Sequence, residues 1–136
     1  MFSNKHFILY SLIGLLAALI DLVLFYLFYE VLFFQLMASN AFSVTSAALF
    51  SFFCNAYFNF KKSDFLLLRL LSFMIVVLIG YWLGLAIIYL GVEYTLLSAT
   101  QSKVLSLPFV FFSQYFLNSK ISFGKLIKDV YQSKNP

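Results

Sequence analysis

The residues able to do chemistry in this chain are few, and they sit where an apolar sequence has least reason to keep them. Asp21 interrupts the apolar run from Phe7 to Tyr29, and Lys103 interrupts the run from about Thr95 to Ser119. An ionised side chain in mid-bilayer costs about 2.5–3.5 kcal/mol on insertion scales, so such groups have partners or work to do. Each lies roughly eight residues inward from the end of its run, a depth of about 12 Å at a helical rise of about 1.5 Å per residue. Equal depth and opposite sign make the two natural partners. They face a shared polar cavity in which Lys103 can meet an anion, or they form a permanent ion pair that fixes helix packing. A lysine that snorkels outward is the third arrangement.

Carboxamides form a second set. Phe52-Phe53-Cys54-Asn55-Ala56-Tyr57-Phe58-Asn59-Phe60-Lys61 is echoed 59 residues later by Phe111-Phe112-Ser113-Gln114-Tyr115-Phe116-Leu117-Asn118-Ser119-Lys120. The echo pairs Asn55 with Gln114 and Asn59 with Asn118, and it marks an internal duplication. Each pair is one helical turn apart, so each lines one face. Asn59 and Asn118 form the secondary polar face near the basic flanks. The deeper Asn55 and Gln114 need hydrogen-bond partners. They bond each other across matched helices, or they bond a ligand's phosphate and hydroxyl groups. Arg69 opens a third apolar run, where its guanidinium suits a phosphate and also serves topology.

These residues need long apolar elements to hold them, and the composition supplies nothing else. Of 136 residues, 63% are hydrophobic and 10% charged, with a mean hydropathy of +0.97. A soluble domain carries about a quarter charged residues, so this chain cannot clothe itself in polar groups. No Asp, Glu, Lys, Arg or His lies between Glu30 and Lys61 or between Arg69 and Glu93. About 20 apolar residues cross the hydrocarbon layer as a helix. The expected fold is an all-α polytopic membrane protein with transmembrane helices at about 7–29, 36–60, 69–91 and 95–119. Residues 1–136 form one membrane domain, with repeat one at about 5–62, repeat two at about 69–123 and a cytoplasmic tail at 120–136. The first run is too long for a signal-peptide core and is read as a mature helix. Cys54 is the single cysteine, so no intrachain disulfide forms.

Charge then orients the chain. Lys5, Lys61, Lys62, Arg69, Lys120, Lys125, Lys128 and Lys134 flank one side, eight of the nine basic residues, while Glu30 and Glu93 mark the other. The positive-inside rule makes the lysine-rich side cytoplasmic, with both termini there. Each repeat is then a helical hairpin that starts and ends inside, and the two are parallel. The basic tail serves topology and lipid headgroups; nucleic acid is not an expected partner. Small and hydroxyl residues from Ser43 to Ser51, among them Thr45, Ser46, Ala47 and Ala48, point to close packing of the second helix. His6 is the lone histidine, no metal-ligand spacing or Gly-rich phosphate loop is found, and short connections leave no room for an enzyme domain. No catalytic residue, metal or cofactor is expected.

The run from His6-Phe7 through Gly14 to Asp21, the Asn55 segment followed by basic residues, Arg69, and Lys103 eleven residues before Gln114 together resemble the GtrA-like family. The resemblance covers about residues 5–123 and lies in order and spacing rather than in one motif. It implies a small four-helix protein of the bacterial cytoplasmic membrane that moves a polyprenyl-phosphate-linked sugar to the outer leaflet. There a partner glycosyltransferase would use it to decorate surface polysaccharide. By position, Asn55, Arg69 and Lys103 match the family's recurring polar residues, and Asp21 its first-helix acid. Gln114 stands where the pattern has Asn, Phe60 displaces the basic pair, and Ser63-Asp64-Phe65 replaces the usual ending of helix two.

Two other readings stay open. Asp21 in the first of four helices also fits a small proton-coupled multidrug transporter, although the strong charge bias opposes the dual topology such proteins can use. A membrane platform that docks a glycosyltransferase is the other. A groove between four short helices is compatible with a homo-oligomer.

Overall fold

Inside hydrocarbon a backbone must satisfy its own polar groups, and long runs of Leu, Ile, Val and Phe do so as helices. The computed structural model describes residues 4–62 and 64–134, and these contain five helices and no strand. Helix α1 spans Asn4–Tyr26 and ends in a π-helical turn, Leu27–Val31. Helix α2 spans Leu36–Cys54 and likewise ends in a π turn, Asn55–Asn59. Helices α3, Leu66–Tyr94, and α4, Ala99–Lys120, follow, and α5 covers Leu126–Lys134. Ser63 of the expected Ser63-Asp64-Phe65 segment lies outside the described residues, as do both chain ends.

Connections are short and make sharp turns. Phe33, Lys61 and Phe65 take φ of 56°, 50° and 52°, the left-handed region that side chains with a Cβ enter at a cost of about 1–2 kcal/mol. Between α3 and α4 the turn is locked by side chains. Thr95 donates to Gly91 O and accepts from Leu97 N. Ser98 and Gln101 then form a reciprocal capping box, with Gln101 N to Ser98 Oγ at 3.1 Å and Ser98 N to Gln101 Oε1 at 2.9 Å. This cap fixes where Lys103, in the next turn of helix, enters the bundle.

Helix α1 packs chiefly on α2 and α3 chiefly on α4, with α2–α3 and α1–α4 contacts completing the bundle. Each helix turns its apolar side outward. On α1 the exposed residues are Leu12, Leu15, Leu16, Leu19 and Val23, while Tyr10, Ile13, Ala17, Asp21 and Phe25 recur every three or four positions inside. Serines, asparagines, Arg69 and Lys103 are buried among the helices, the reverse of a water-soluble interior. An aromatic core of Tyr10, Phe52, Phe60, Phe73 and Phe123 fills the lysine-rich end, and a smaller one of Phe25, Ile88 and Ala99 fills the opposite end. This is a membrane protein.

Three helices, Asn4–Val31, Leu36–Asn59 and Leu66–Tyr94, are long and apolar enough to cross a bilayer by length and composition. Helix α4 falls outside that group because it carries Gln101, Lys103, Gln114 and Asn118 within its 22 residues. Within the stretch expected as a cytoplasmic tail, Leu126–Lys134 form α5. The turn needs glycine: a Cβ on Gly124 would stand 2.1 Å from Lys120 O. Of the hydroxyl residues expected to pack α2, Ser43 and Ser51 are buried, whereas Thr45 and Ser46 face outward.

Candidate functional site

A buried charge sits where three helices meet. Lys103 of α4 is 2% exposed and its Nζ lies 2.8 Å from Oδ1 of Asp21 on α1, itself 8% exposed. The angle makes this an ion pair rather than an aligned hydrogen bond. Nζ donates instead to Oδ1 of Asn40 on α2 at 2.5 Å, and it stands 5.3 Å from the ring centroid of Phe25. The cation is thus held by a carboxylate, a carbonyl dipole and an aromatic face, three separate attractions that offset its desolvation.

That cluster is not fully satisfied. Asn40 Nδ2, Ser39 Oγ and Ser102 Oγ are buried and have no hydrogen-bond partner among the described residues. An unmet buried donor costs about 1–3 kcal/mol, so the locus holds free hydrogen-bonding capacity beside a cation. Ser102 lies against Gly91, where a Cβ would come within 2.2 Å of Ser102 Oγ, and only glycine lets α3 approach α4 so closely. At the rim, Thr100 Oγ1 donates to Glu30 Oε1 at 3.0 Å and ties α4 to the end of α1.

Asp21 also faces a cavity of about 70 Å³ that runs between the helices to Gln114, with Ser51, Gly14, Ala17 and Ala47 in its walls. It is large enough to hold water.

The amides behave differently from each other. Asn55 is fully buried, but Nδ2 bonds Ser51 O at 2.9 Å and Ser51 Oγ at 3.3 Å, and Oδ1 accepts from Asn59 Nδ2 at 2.9 Å. No hydrogen bond joins it to Gln114; the expected cross-helix amide pair does not form. The reason is local: Asn55 finds nearer partners one turn away on its own helix, in Ser51 and Asn59. Gln114 lies against Gly80, where a Cβ would meet its Nε2 at 2.5 Å, and it reaches the cavity.

Asn59 and Asn118 fasten the base of α1. Asn59 Nδ2 donates to His6 O at 3.1 Å with His6 Nδ1 3.0 Å from its Oδ1, and Asn118 Nδ2 meets Tyr10 OH at 3.4 Å. Arg69 lies at this lysine-rich end, away from Lys103, and is buried at 2% exposure. Its Nε donates to Asp64 O and NH1 to Ser122 O, both at 2.9 Å, and NH2 lies 3.3 Å from Asp64 Oδ2. The guanidinium therefore joins the α2–α3 connection to the α4–α5 turn, and its fork is filled by protein oxygens.

Sequence reasoning missed Asn40, Ser39 and Ser102. A signal was present at a second spacing: Ser39-Asn40 and Ser43 recur as Ser102-Lys103 and Ser106, 63 residues on. The structure repeats the local bonding too, with Ser43 Oγ donating to Asn40 O at 3.2 Å and Ser106 Oγ to Lys103 O at 2.7 Å. Spacings of 63 and 59 differ by four residues, about one helical turn, so both keep the same face inward.

An all-helical membrane bundle with polar groups on its inner faces defines the class. The chain matches the GtrA/DPMS transmembrane domain over residues 9–123 and belongs to that family, which is associated with membrane sugar translocation. No curated protein and no solved structure matches the chain.

Proposed function

We propose that the protein crosses the bacterial cytoplasmic membrane four times, as two parallel helical hairpins in one domain with both ends cytoplasmic. In this reading it moves a polyprenyl-phosphate-linked sugar to the outer leaflet for surface polysaccharide glycosylation. It does no covalent chemistry; a partner glycosyltransferase consumes the cargo. Membership of the family supports the sugar, and the basic residues at one end support the orientation. The outward faces support α4 as the fourth crossing, because Val104, Leu105, Phe109, Phe112 and Phe116 are exposed while Lys103 is neutralised inside. Repetition of the serine bonds 63 residues apart supports the duplicated hairpin.

One observation carries the proposal: a buried lysine held beside unmet donors, with its carboxylate partner facing a cavity that leads to Gln114. A phosphate that displaces Asp21 from Lys103 would find a cation and the Asn40 amide already placed. Asp21, Lys103 and Gln114 are the groups that meet the moving headgroup. Asn55 and Arg69 hold the frame at the lysine-rich end. The polyprenyl chain stays in lipid, and consumption of the sugar outside draws the process onward.

The test is reconstitution of the purified chain in liposomes with a labelled lipid-linked sugar on one leaflet. Protein-dependent movement that Lys103→Met abolishes is the expected result. Movement equal to protein-free vesicles ends the proposal. The small cavity favours one second reading, a platform that docks the glycosyltransferase. That reading predicts retained transferase association with no movement of lipid. Asp21 is already paired with Lys103, so the free carboxylate that a proton-coupled drug exporter uses is not offered.

A further inference from the structure

The lysine-rich end contains a second hollow that the translocation site does not use. It has a volume of about 570 Å³ and is lined by Lys62, Asp64 and Arg69 on one side and by Phe123, Lys125 and Lys128 on the other. Four cations and one carboxylate give its walls a net charge of +3. The carboxylate is already engaged, since Asp64 Oδ2 lies 3.3 Å from Arg69 NH2. Lys62, Lys125 and Lys128 make no ion pair among the described residues.

Topology alone explains lysines scattered along inner connections; it does not explain their convergence on one concavity. Convergence comes from α5. Gly124 permits the sharp return, Ile127 is buried against the bundle, and Tyr131 packs on Phe65 with ring centroids 4.3 Å apart. Leu126 and Val130 remain exposed on the same short helix, the apolar side that an interfacial helix lays into a headgroup layer. The hollow thus opens beside lipid with its charge unneutralised.

We propose that this hollow is a headgroup seat for a lipid phosphate, distinct from the Lys103 locus, where the phosphate of the cargo lipid is captured before entry between the helices. It rests on the carrier reading for the identity of the cargo. Recognition is by charge from Lys62, Lys125 and Lys128, with Arg69 bracing the wall. The sugar-linked cargo carries one negative charge as a phosphodiester; a polyprenyl phosphate monoester, with its second charge, binds the same lysines more tightly and serves as the probe.

The test measures binding without transport. Native mass spectrometry of the full chain in detergent follows titration with a long-chain polyprenyl phosphate, with phosphatidylglycerol, with phosphatidylcholine and with inorganic phosphate. The triple variant Lys62→Gln, Lys125→Gln, Lys128→Gln is compared with Lys134→Gln, whose lysine lies outside the hollow. Each surface lysine contributes about fivefold to binding of an anionic lipid, so the triple variant should weaken polyprenyl phosphate about a hundredfold. Lys134→Gln and phosphatidylcholine should show no effect and no binding. Equal lysine-dependent retention of phosphatidylglycerol supports the seat and assigns it to bulk anionic lipid. Equal competition by inorganic phosphate supports it and assigns it to free phosphate. Unchanged affinity in the triple variant, or an equal loss in Lys134→Gln, overturns the proposal. A protein that binds lipid through these lysines yet moves none in vesicles overturns the carrier reading and leaves the seat standing.

Discussion

Replacement of Lys103 by methionine isolates what the buried pair contributes. At 2.8 Å and an effective dielectric near 20, the Coulomb attraction between Asp21 and Lys103 is about 6 kcal/mol, most of it offset by desolvation of both ions. Lys103→Met removes the attraction and leaves the desolvation of Asp21 unpaid. The expected loss of stability is about 3–5 kcal/mol, roughly two to four orders of magnitude in the unfolding equilibrium. Asp21→Asn with Lys103→Met removes both charges and should recover most of that loss, because a neutral amide beside a thioether asks little of the interior. The assay is a double-mutant cycle on reversible unfolding in mixed micelles, read alongside lipid movement in vesicles. A coupling of about 2 kcal/mol or more is expected, with the neutral double variant stable and inactive. Additive single effects, within about 0.5 kcal/mol, would refute the pairing argument. A double variant that still moves the sugar lipid would show that the charges serve packing alone.

The other predictions concern single sites. Asn55→Ala removes the bonds to Ser51 and Asn59 and should lower stability by about 1–2 kcal/mol while the chain still inserts, which thermal unfolding in detergent measures. Ala17→Leu fills the cavity between Asp21 and Gln114; lipid movement should stop at a stability cost of about 1–3 kcal/mol, and unimpaired movement would exclude the cavity from the route. Gly91→Ala drives a methyl into Ser102 and should destabilise by about 1–3 kcal/mol, with partial recovery on adding Ser102→Gly. Asn40→Leu withdraws the acceptor from Lys103 and should reduce export-dependent surface glycosylation at normal protein level, as scored on cells.

Much of this architecture can be read from residue types. Uniform apolar runs foretell helices: α1 and α3 each begin three residues earlier than expected, at Asn4 and Leu66, α3 ends three later at Tyr94, and α4 begins four later at Ala99. Equal depth and opposite sign are enough to pair Asp21 with Lys103. The amides were harder, because a carboxamide's partner is set by local geometry. Spacing alone puts Ser51 and Asn59 one turn from Asn55, but it does not show that they outcompete Gln114 for its amide. Arg69 looked like a ligand residue because nothing in the sequence shows Ser122 and Asp64 returning to fill its donors. Asn40 is marked only by the weaker echo at 63 residues, where a lysine rather than an amide stands opposite it. Helix α5 has only nine residues and no long apolar run, so its return is visible only once Ile127 and Tyr131 are seen to be docked.

The bond between the first and last long helices has a consequence for biogenesis. Asp21 leaves the ribosome 82 residues before Lys103. Throughout that interval the nascent first hairpin carries an acid whose cation has not yet been made. The insertion machinery must therefore shelter the newborn segment until synthesis is nearly complete. Severed at the central connection, the front half expressed alone should be degraded, and supplying the rear half in trans should rescue it.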